Sequence, residues 1–524
     1  MRGIFTPITK LRRDVFTEVA RFGYERDLQH TDYGYFYEAS YRIIPGERPT
    51  YRESVFKERA IIRERFRLAM GMKIRDQDHY ESLTADMQTM DSTAKQSEMP
   101  IVNVIPFACE ACPTNTYRVS NNCRKCLAHP CTAVCPVKAI SIGDKAAVID
   151  EAKCIRCGRC FEACPYHAIL HFGRPCAEAC GANAIGSDEL GRCKIDRDKC
   201  VSCGLCIVSC PFGAIADKSE IFQIITAIRT GEDVYAAIAP AFVGQFGPLA
   251  TPAKVFSALK ALGFKDVIEV GMGADLSSRH EARLFVENVP ARQPFLGTSC
   301  CPSWEAFARK VLPGDTGRCI SSSSTPMVAT GQRIKQDDPK AKVVFIGPCV
   351  AKKMEGLEED VKPYIDFVMT FEEVMGMFAA KHIEISDMQE DDKPAEASHD
   401  GRHYAVASSV APAIAACIKE LEPGRDVQIA HADSLADCKK MLLLAKAGKY
   451  NGYLLEGMAC PGGCVGGPGT LMPIAKAGVA VDKFAKTSPW EHADQNPVVQ
   501  GRPIPGVTPP PGSATTDPAR HTGE

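Results

Sequence analysis

At 524 residues with a formal net charge of −2, the chain is too long for one hydrophobic core and carries no global charge that would draw nucleic acid or an acidic membrane surface. Hydrophobic residues at 45% and charged residues at 24% are ordinary for a soluble globular protein, so the 25 cysteines are the departure that needs explaining. Seventeen of them fall between Cys109 and Cys210 and eight lie beyond residue 300. That distribution excludes a small disulfide scaffold, and its short spacings suit metal clusters, which need several thiolates converging on one point. The start, MRGIFTPITKLRRDVF, has no apolar run of a secretory signal, and Arg12-Arg13 followed by Asp14 is a poor twin-arginine match. No window approaches the roughly 18 apolar residues of a membrane span. A reducing, cytoplasmic and anaerobic setting follows as the expectation, without a membrane or nucleic-acid partner.

Residues 1–100 are rich in Arg, Glu, Tyr and Met, and are expected to be mostly helical. Arg52 to Met70 has helical periodicity with charge on its polar face, which predicts a solvated helix packed on the next domain.

Residues 101–218 are cysteine-dense and predict α+β ferredoxin-like units. Two stretches match the C-x2-C-x2-C-x3-C-P run: Cys154, Cys157, Cys160, Cys164 before Pro165, and Cys200, Cys203, Cys206, Cys210 before Pro211. Cys123, Cys126, Cys131 and Cys135 form a third with one longer gap. In such runs three thiolates bind one cubane and the fourth crosses to its neighbour. The 18 residues between Cys135 and Cys154 pair the first two runs. One cluster then falls on Cys123, Cys126, Cys131 and Cys164, and a second on Cys154, Cys157, Cys160 and Cys135. A third takes Cys180 with Cys200, Cys203 and Cys206. Cys176 and Cys210 are left needing two more thiolates, because Leu170 and Gly173 stand where these should lie. Cys109 and Cys112 can supply both from upstream, which leaves Cys193 spare. The expectation is three to four accessory [4Fe–4S] clusters forming an electron wire.

From residue 219 to 485 helix and strand alternate, which predicts an α/β domain. Pro252–Leu262 reads as a helix with Pro in its first turn, and apolar runs at 234–239, 267–270, 343–346 and 453–455 read as strands. The acidic stretch 386–401 reads as an exposed insertion, and the Pro/Gly-rich residues 486–524 as a disordered tail.

Three cysteine motifs occupy this part: TSCCPSW at 298–304, GPCVAKK at 347–353 and EGMACPGGC at 456–464. In order and spacing they resemble the signature segments of [FeFe]-hydrogenases, the iron-only hydrogenases, over roughly residues 220–485. The resemblance implies that Cys301, Cys349, Cys460 and Cys464 hold a [4Fe–4S] cluster. Cys464 would also bridge to a diiron subsite carrying CO, cyanide and a dithiolate amine, the two together being the H-cluster. By the same resemblance Lys352 donates to a cyanide ligand, Cys300 relays protons, Met458 packs beside the diiron unit, and Ala239-Pro240 lines the pocket. Cys300 could alternatively be an inert thiol or a ligand in place of Cys301. Gly462 and Gly463 would let backbone approach the cluster, while Pro348 and Pro461 stiffen the loops.

Of the family's two proton-path glutamates Glu281 matches one, and Leu284 stands at the other. Gly347 replaces a methionine, and Met327-Val328 replaces a glutamine-containing stretch. With TSCCPSW, these departures are similar to the ferredoxin-rich monomeric branch called group B. The implied activity is H2 ⇌ 2 H⁺ + 2 e⁻, with electrons passing to ferredoxin or a similar carrier and the diiron unit supplied by maturation proteins. An H2 sensor, a non-catalytic hydrogenase-like iron–sulfur protein and an electron-transfer subunit are the rival readings; Lys352, Cys300 and Met458 weigh against the second.

Overall fold

The computed structural model describes residues 3–500 apart from 96, 312, 313 and 392. Two parallel sheets form the α/β part. The larger runs Asp266–Glu269, Val234–Ile238, Lys342–Gly347, Phe367–Thr370 in spatial order, and the smaller runs Leu296–Gly297, Tyr453–Gly457, Gln428–Ala432. Every pairing in both is parallel, and the central strand Lys342–Gly347 is buried along almost its whole length, as a sheet covered on both faces requires. The helix Pro252–Leu262 starts where Thr251 accepts the N–H of Lys254, and ends at Gly263 with φ 112°, a left-handed cap that glycine adopts without strain.

All four expected apolar runs are strands. Phe367–Thr370, Gln428–Ala432 and Leu296–Gly297 carried too little apolar pattern to be recognised.

The cysteine-rich part folds as two ferredoxin-like units of the same design. One pairs Thr116–Val119 with Ile169–Phe172 and contains the hairpin Ile140–Ile142/Ala147–Ile149. The other pairs Val102–Val104 with Ile215–Asp217 and contains the hairpin Ile185–Ser187/Cys193–Ile195. The first unit is therefore inserted whole into the second, after Cys112. That nesting explains why one cysteine run looked degenerate: its first half lies upstream of the insertion.

The N-terminal region departs from the expected solvated helix. Val55–Ala69, capped by Ser54, buries Glu58, Arg59, Glu64, Arg65 and Arg67 as well as its apolar residues. The charges are satisfied internally. Glu58 accepts the N–H groups of Thr50, Tyr51 and Arg52, and Arg67 donates to the carbonyls of Leu83 and Ala85. Periodicity reports which residues could face water and not which do.

Pro7–Glu25 packs on Phe371–Ala380, where a Cβ at Gly376 would sit 2.7 Å from that of Phe16. Its Arg12 reaches Glu372 at 2.9 Å and Asp217 at 3.4 Å, and Lys353 joins Asp217 to Glu373 at 2.7 and 2.6 Å. Residues of this region share one apolar core with the larger sheet. It is a brace built into the α/β part.

Two further expectations are corrected. In the stretch 386–401, Ala397 and Ser398 are buried, because Ser398 satisfies the buried carboxylate of Asp275. The expected tail 486–524 is ordered at its start. Trp490 accepts the N–H of His399, Asn496 donates to Asp275 at 2.7 Å, and Val499 is fully buried. Residues 501–524 of that tail lie outside the described residues. Among the described residues no helix is long and apolar enough to cross a membrane.

Candidate metal centre

Each ferredoxin-like unit encloses two small cavities, and each cavity gathers cysteines that are distant in sequence. Cys123, Cys126, Cys131 and Cys164 line one, and Cys135, Cys154, Cys157 and Cys160 line another. Cys180, Cys200, Cys203 and Cys206 line a third. The fourth is lined by Cys109, Cys112, Cys176 and Cys210, and also by Cys193, which is therefore not remote from the site.

The backbone repeats with the cysteines. The N–H groups of Ala139, Ala168, Ala184 and Ala214 point at the sulfurs of Cys135, Cys164, Cys180 and Cys210, each four residues earlier, at 3.2–3.4 Å. Ala111, Lys125, Arg156 and Ser202, each two residues after the first cysteine of its loop, have φ of 46°, 46°, 58° and 51°. Non-glycine residues seldom adopt that conformation. Here it turns successive N–H groups toward one point, a concavity suited to an anion. The loop at Cys109 shares it although its sequence looked incomplete.

The main cavity lies between the two sheets. Ala239-Pro240, Cys300-Cys301, Pro348-Cys349 and Met458 to Cys464 all leave the carboxyl ends of parallel strands, where open α/β sheets place their ligands. Ala239, Pro240, Cys300, Cys301, Pro348, Cys349, Lys352, Met458, Cys460, Gly463 and Cys464 line it, with Tyr404, Phe345 and Met327 completing its apolar wall. It holds about 760 Å³ of empty space, against about 310–360 Å³ in each cysteine-lined cavity of the ferredoxin-like units. A cavity twice as large, lined by five cysteines, has room for a cubane and a second metal group beside it.

Residues 232–468 match the family described as iron only hydrogenase large subunit, C-terminal domain, and 147–170 and 194–215 each match the 4Fe-4S binding domain. This is an iron-only hydrogenase-like protein. It is 28% identical over 375 residues to iron hydrogenase 1 of Clostridium pasteurianum, covering 62% of this chain and 65% of that one. To the periplasmic [Fe] hydrogenase large subunit of Nitratidesulfovibrio vulgaris it is 29% identical over 372 residues, covering 62% and 86%. Protein NAR1 of Arabidopsis thaliana, whose name states no hydrogenase activity, is 23% identical over 49% of this chain and 69% of its own. The chain thus spans just under two thirds of the clostridial relative, and its relatives include both proteins named as hydrogenases and one not so named.

In this hydrogenase-like domain the two adjacent cysteines differ in surroundings. Backbone N–H groups of Ala459, Trp304 and Ser303 aim at the sulfur of Cys301. For Cys300 burial comes first, and then the neighbouring Cys301 and Glu281 push its thiol well above the usual range. Burial likewise raises Cys349 to about 11 and Cys464 to about 12.

Lys352 and its neighbour part company: Lys353 joins the buried brace, while Lys352 turns to the cavity, fully desolvated. Its ammonium donates to Thr325 at 2.9 Å and pairs with Glu355 at 2.6 Å. Burial works against its charge, and the Glu355 carboxylate more than offsets this, so its pKa is raised.

Glu281 does not line the cavity but stands behind it. Its Oε1 accepts the N–H and the hydroxyl of Ser299, next to Cys300, at 2.8 and 2.6 Å, and burial raises the carboxyl to about 7. Gly462 also departs from expectation. It takes φ 79°, its N–H goes to Asp433, and a Cβ there would meet Ile474 and not the cavity. Gly463, at φ 85°, is the one whose bareness the cavity needs, since a Cβ would press on Ala407 and the Met458 sulfur.

At Gly347 a Cβ would lie 2.5 Å from the ring of Phe345. Phe345, on the same face of its strand, fills the wall space a larger residue at 347 would take. Sequence reasoning missed Phe345 and also Tyr404, which receives the Ser278 hydroxyl at 3.1 Å; neither belongs to a motif.

Proposed function

We propose that this protein is a catalytic [FeFe]-hydrogenase that interconverts H2 with two protons and two electrons. The observation that carries the reading is the main cavity: Cys301, Cys349, Cys460 and Cys464 converge there with Cys300, Lys352 and Met458 in one enclosed, largely apolar space. The donor set fits the group. Four soft thiols suit an iron–sulfur cluster, and a desolvated ammonium suits an anionic neighbour. A [4Fe–4S]-linked diiron unit, the H-cluster, would supply the making and breaking of the H–H bond when bound there.

The chain's own residues do the rest. Cys301, Cys349, Cys460 and Cys464 would hold the cubane, with Cys464 the residue that would also serve the second metal group. The Lys352 Nζ, kept in place by Glu355 and Thr325, would orient that group by donation. Met458, Phe345 and Tyr404 exclude water. Cys300 moves a proton at Sγ, and Glu281, pinned by Ser299, carries it onward at Oε2, which has no hydrogen-bond partner among the described residues. A carboxyl near 7 is well matched to passing protons in either direction.

The four cysteine sets of the ferredoxin-like units would hold accessory [4Fe–4S] clusters, which would supply a path for electrons between the main cavity and a ferredoxin-like carrier. The Cys180/Cys200/Cys203/Cys206 set adjoins the main cavity: Ser303 donates to Val201 at 2.9 Å, and Cys203 and Cys301 border one apolar group. The left-handed Ala111 supports the fourth set, as does Arg174. That arginine is buried beside the same cavity and bonded to the carbonyls of Cys112, Gly186 and Gly191. With no carboxylate partner among the described residues, its charge is left for a bound anion.

The test is H2-dependent viologen reduction by chain matured anaerobically with the diiron unit, alongside infrared spectroscopy. Turnover with CO and cyanide bands is expected. Bands absent after maturation would mean that the cavity does not take the diiron unit. Bands with very slow turnover would favour an H2 sensor, and either outcome overturns the proposal.

A further inference from the structure

Five thiols, not four, line the cavity of the interrupted ferredoxin-like unit. The sulfurs of Cys176 and Cys193 lie 3.9 Å apart. Each iron of a cubane takes one outside thiolate, so one of the five is not a ligand.

The internal repeat identifies it. Cys131, Cys160 and Cys206 are each the second residue of a short helix, in Pro130–Ala133, Arg159–Ala163 and Leu205–Ser209. Cys176 is the second residue of Pro175–Glu178 and so has the position of a ligand. Cys193 opens a strand instead. Its pairing with Ser187 corresponds to that of Ala147 with Ile142 in the companion hairpin. The N–H of Ala147 points at Cys123 at 3.4 Å, and that of Cys193 at Cys109 at 3.3 Å. Cys193 therefore stands where the companion unit has alanine, and adds a buried thiol to an otherwise repeated shell.

We propose that Cys193 is a positioning and tuning residue: its S–H donates a hydrogen bond to the Cys176 thiolate of the fourth cubane and raises the reduction potential of that cluster alone. This rests on the reading that Cys109, Cys112, Cys176 and Cys210 hold a cubane. A donor to a ligand sulfur withdraws negative charge, which favours the state with one more electron. The uncompensated Arg174 guanidinium acts in the same direction. The step is one electron entering the cubane from a neighbouring cluster, or from dithionite in a titration. No bond to iron forms or breaks, and the proton stays on Cys193. The fourth cluster becomes a place where an electron rests, one cluster away from the main cavity, since the short helix Leu205–Ser209 carries Cys206 of the neighbouring set and is capped by Cys210 of this one.

The experiment is iron analysis with a redox titration followed by electron paramagnetic resonance, on the full-length, cluster-loaded chain. Cys193→Ala, the residue the companion unit carries, is expected to keep all its iron and to move one midpoint to lower potential while the others stay. Cys193→Ser, which retains a donor, should move the same midpoint less. Loss of about four irons in Cys193→Ala would make Cys193 a ligand and overturn the proposal, and so would full iron with every midpoint unmoved. A wild-type chain with iron for only three accessory cubanes would instead sink the four-cluster reading beneath it.

Discussion

Replacing Glu281 by glutamine should move stability and turnover in opposite directions. The carboxyl is fully buried, and burial raises it from 4.5 to about 7. At about 1.4 kcal/mol per tenfold change in proton affinity, holding its charged form costs the fold about 3 kcal/mol. The unfolded chain releases this proton near 4.5, whereas the native state keeps it until about 7. Between those values the native state binds more protons, so stability falls as pH rises; below both the cost is absent, and above both it is complete. A glutamine side chain is neutral throughout, can accept the two Ser299 bonds as Glu281 does, and loses nothing at high pH. Thermal unfolding of the cluster-loaded protein from about pH 5 to 7.5 should show the wild type losing about 2 kcal/mol against the variant, seen as a fall in its midpoint relative to the variant's. Over the same range the variant's H2-dependent dye reduction should fall by about 10²-fold or more, the usual loss on removing a proton-transfer group, with its iron content intact. Parallel stability curves would refute the raised carboxyl. Unchanged turnover would remove Glu281 from the proton route.

Lys352→Met should unload the second metal group, seen as loss of the CO and cyanide bands. It should also destabilise the chain by about 3–5 kcal/mol, because Glu355 is left buried and unpaired; adding Glu355→Gln should restore stability but not the bands. Arg12→Met breaks the buried pairs to Glu372 and Asp217 and should cost a similar about 3–5 kcal/mol in thermal or denaturant unfolding. It should leave the iron content of the folded protein unchanged, since both of Arg12's partners are carboxylates outside the proposed ligand sets. Cys112→Ala should lower iron by about four atoms per chain in quantitative iron analysis, with the H2-linked infrared bands retained.

The cysteine grouping was legible in the sequence because cubane ligation is a local demand. Three thiolates on one tight loop need fixed short spacings, and a fourth before proline crosses at a fixed distance. The same holds for the three catalytic motifs and for strands such as Val343–Ile346, whose continuous apolar run reflects a sheet buried on both faces. Other features depend on residues meeting across the chain, and spacing is blind to those. Nothing in the helical pattern of Val55–Ala69 says that its charged face is buried and satisfied by residues 50–52 and 83–85. Nor does a polar composition around 386–401 and 486–500 reveal that Ser398 and Asn496 share the buried carboxylate of Asp275.

By itself, then, the sequence determined which thiols belong to which local loop, and that the cysteines of the main cavity sit at strand ends. Only the tertiary structure decided that one ferredoxin-like unit is nested inside the other, because the link is the antiparallel pairing of Val102–Val104 with Ile215–Asp217. It also decided that Lys352 faces the cavity while Lys353 enters the brace, and that Phe345 fills the space beside Gly347. These are matters of packing. The side chain that occupies a given volume is set by every element around it, and no single stretch of sequence contains them all.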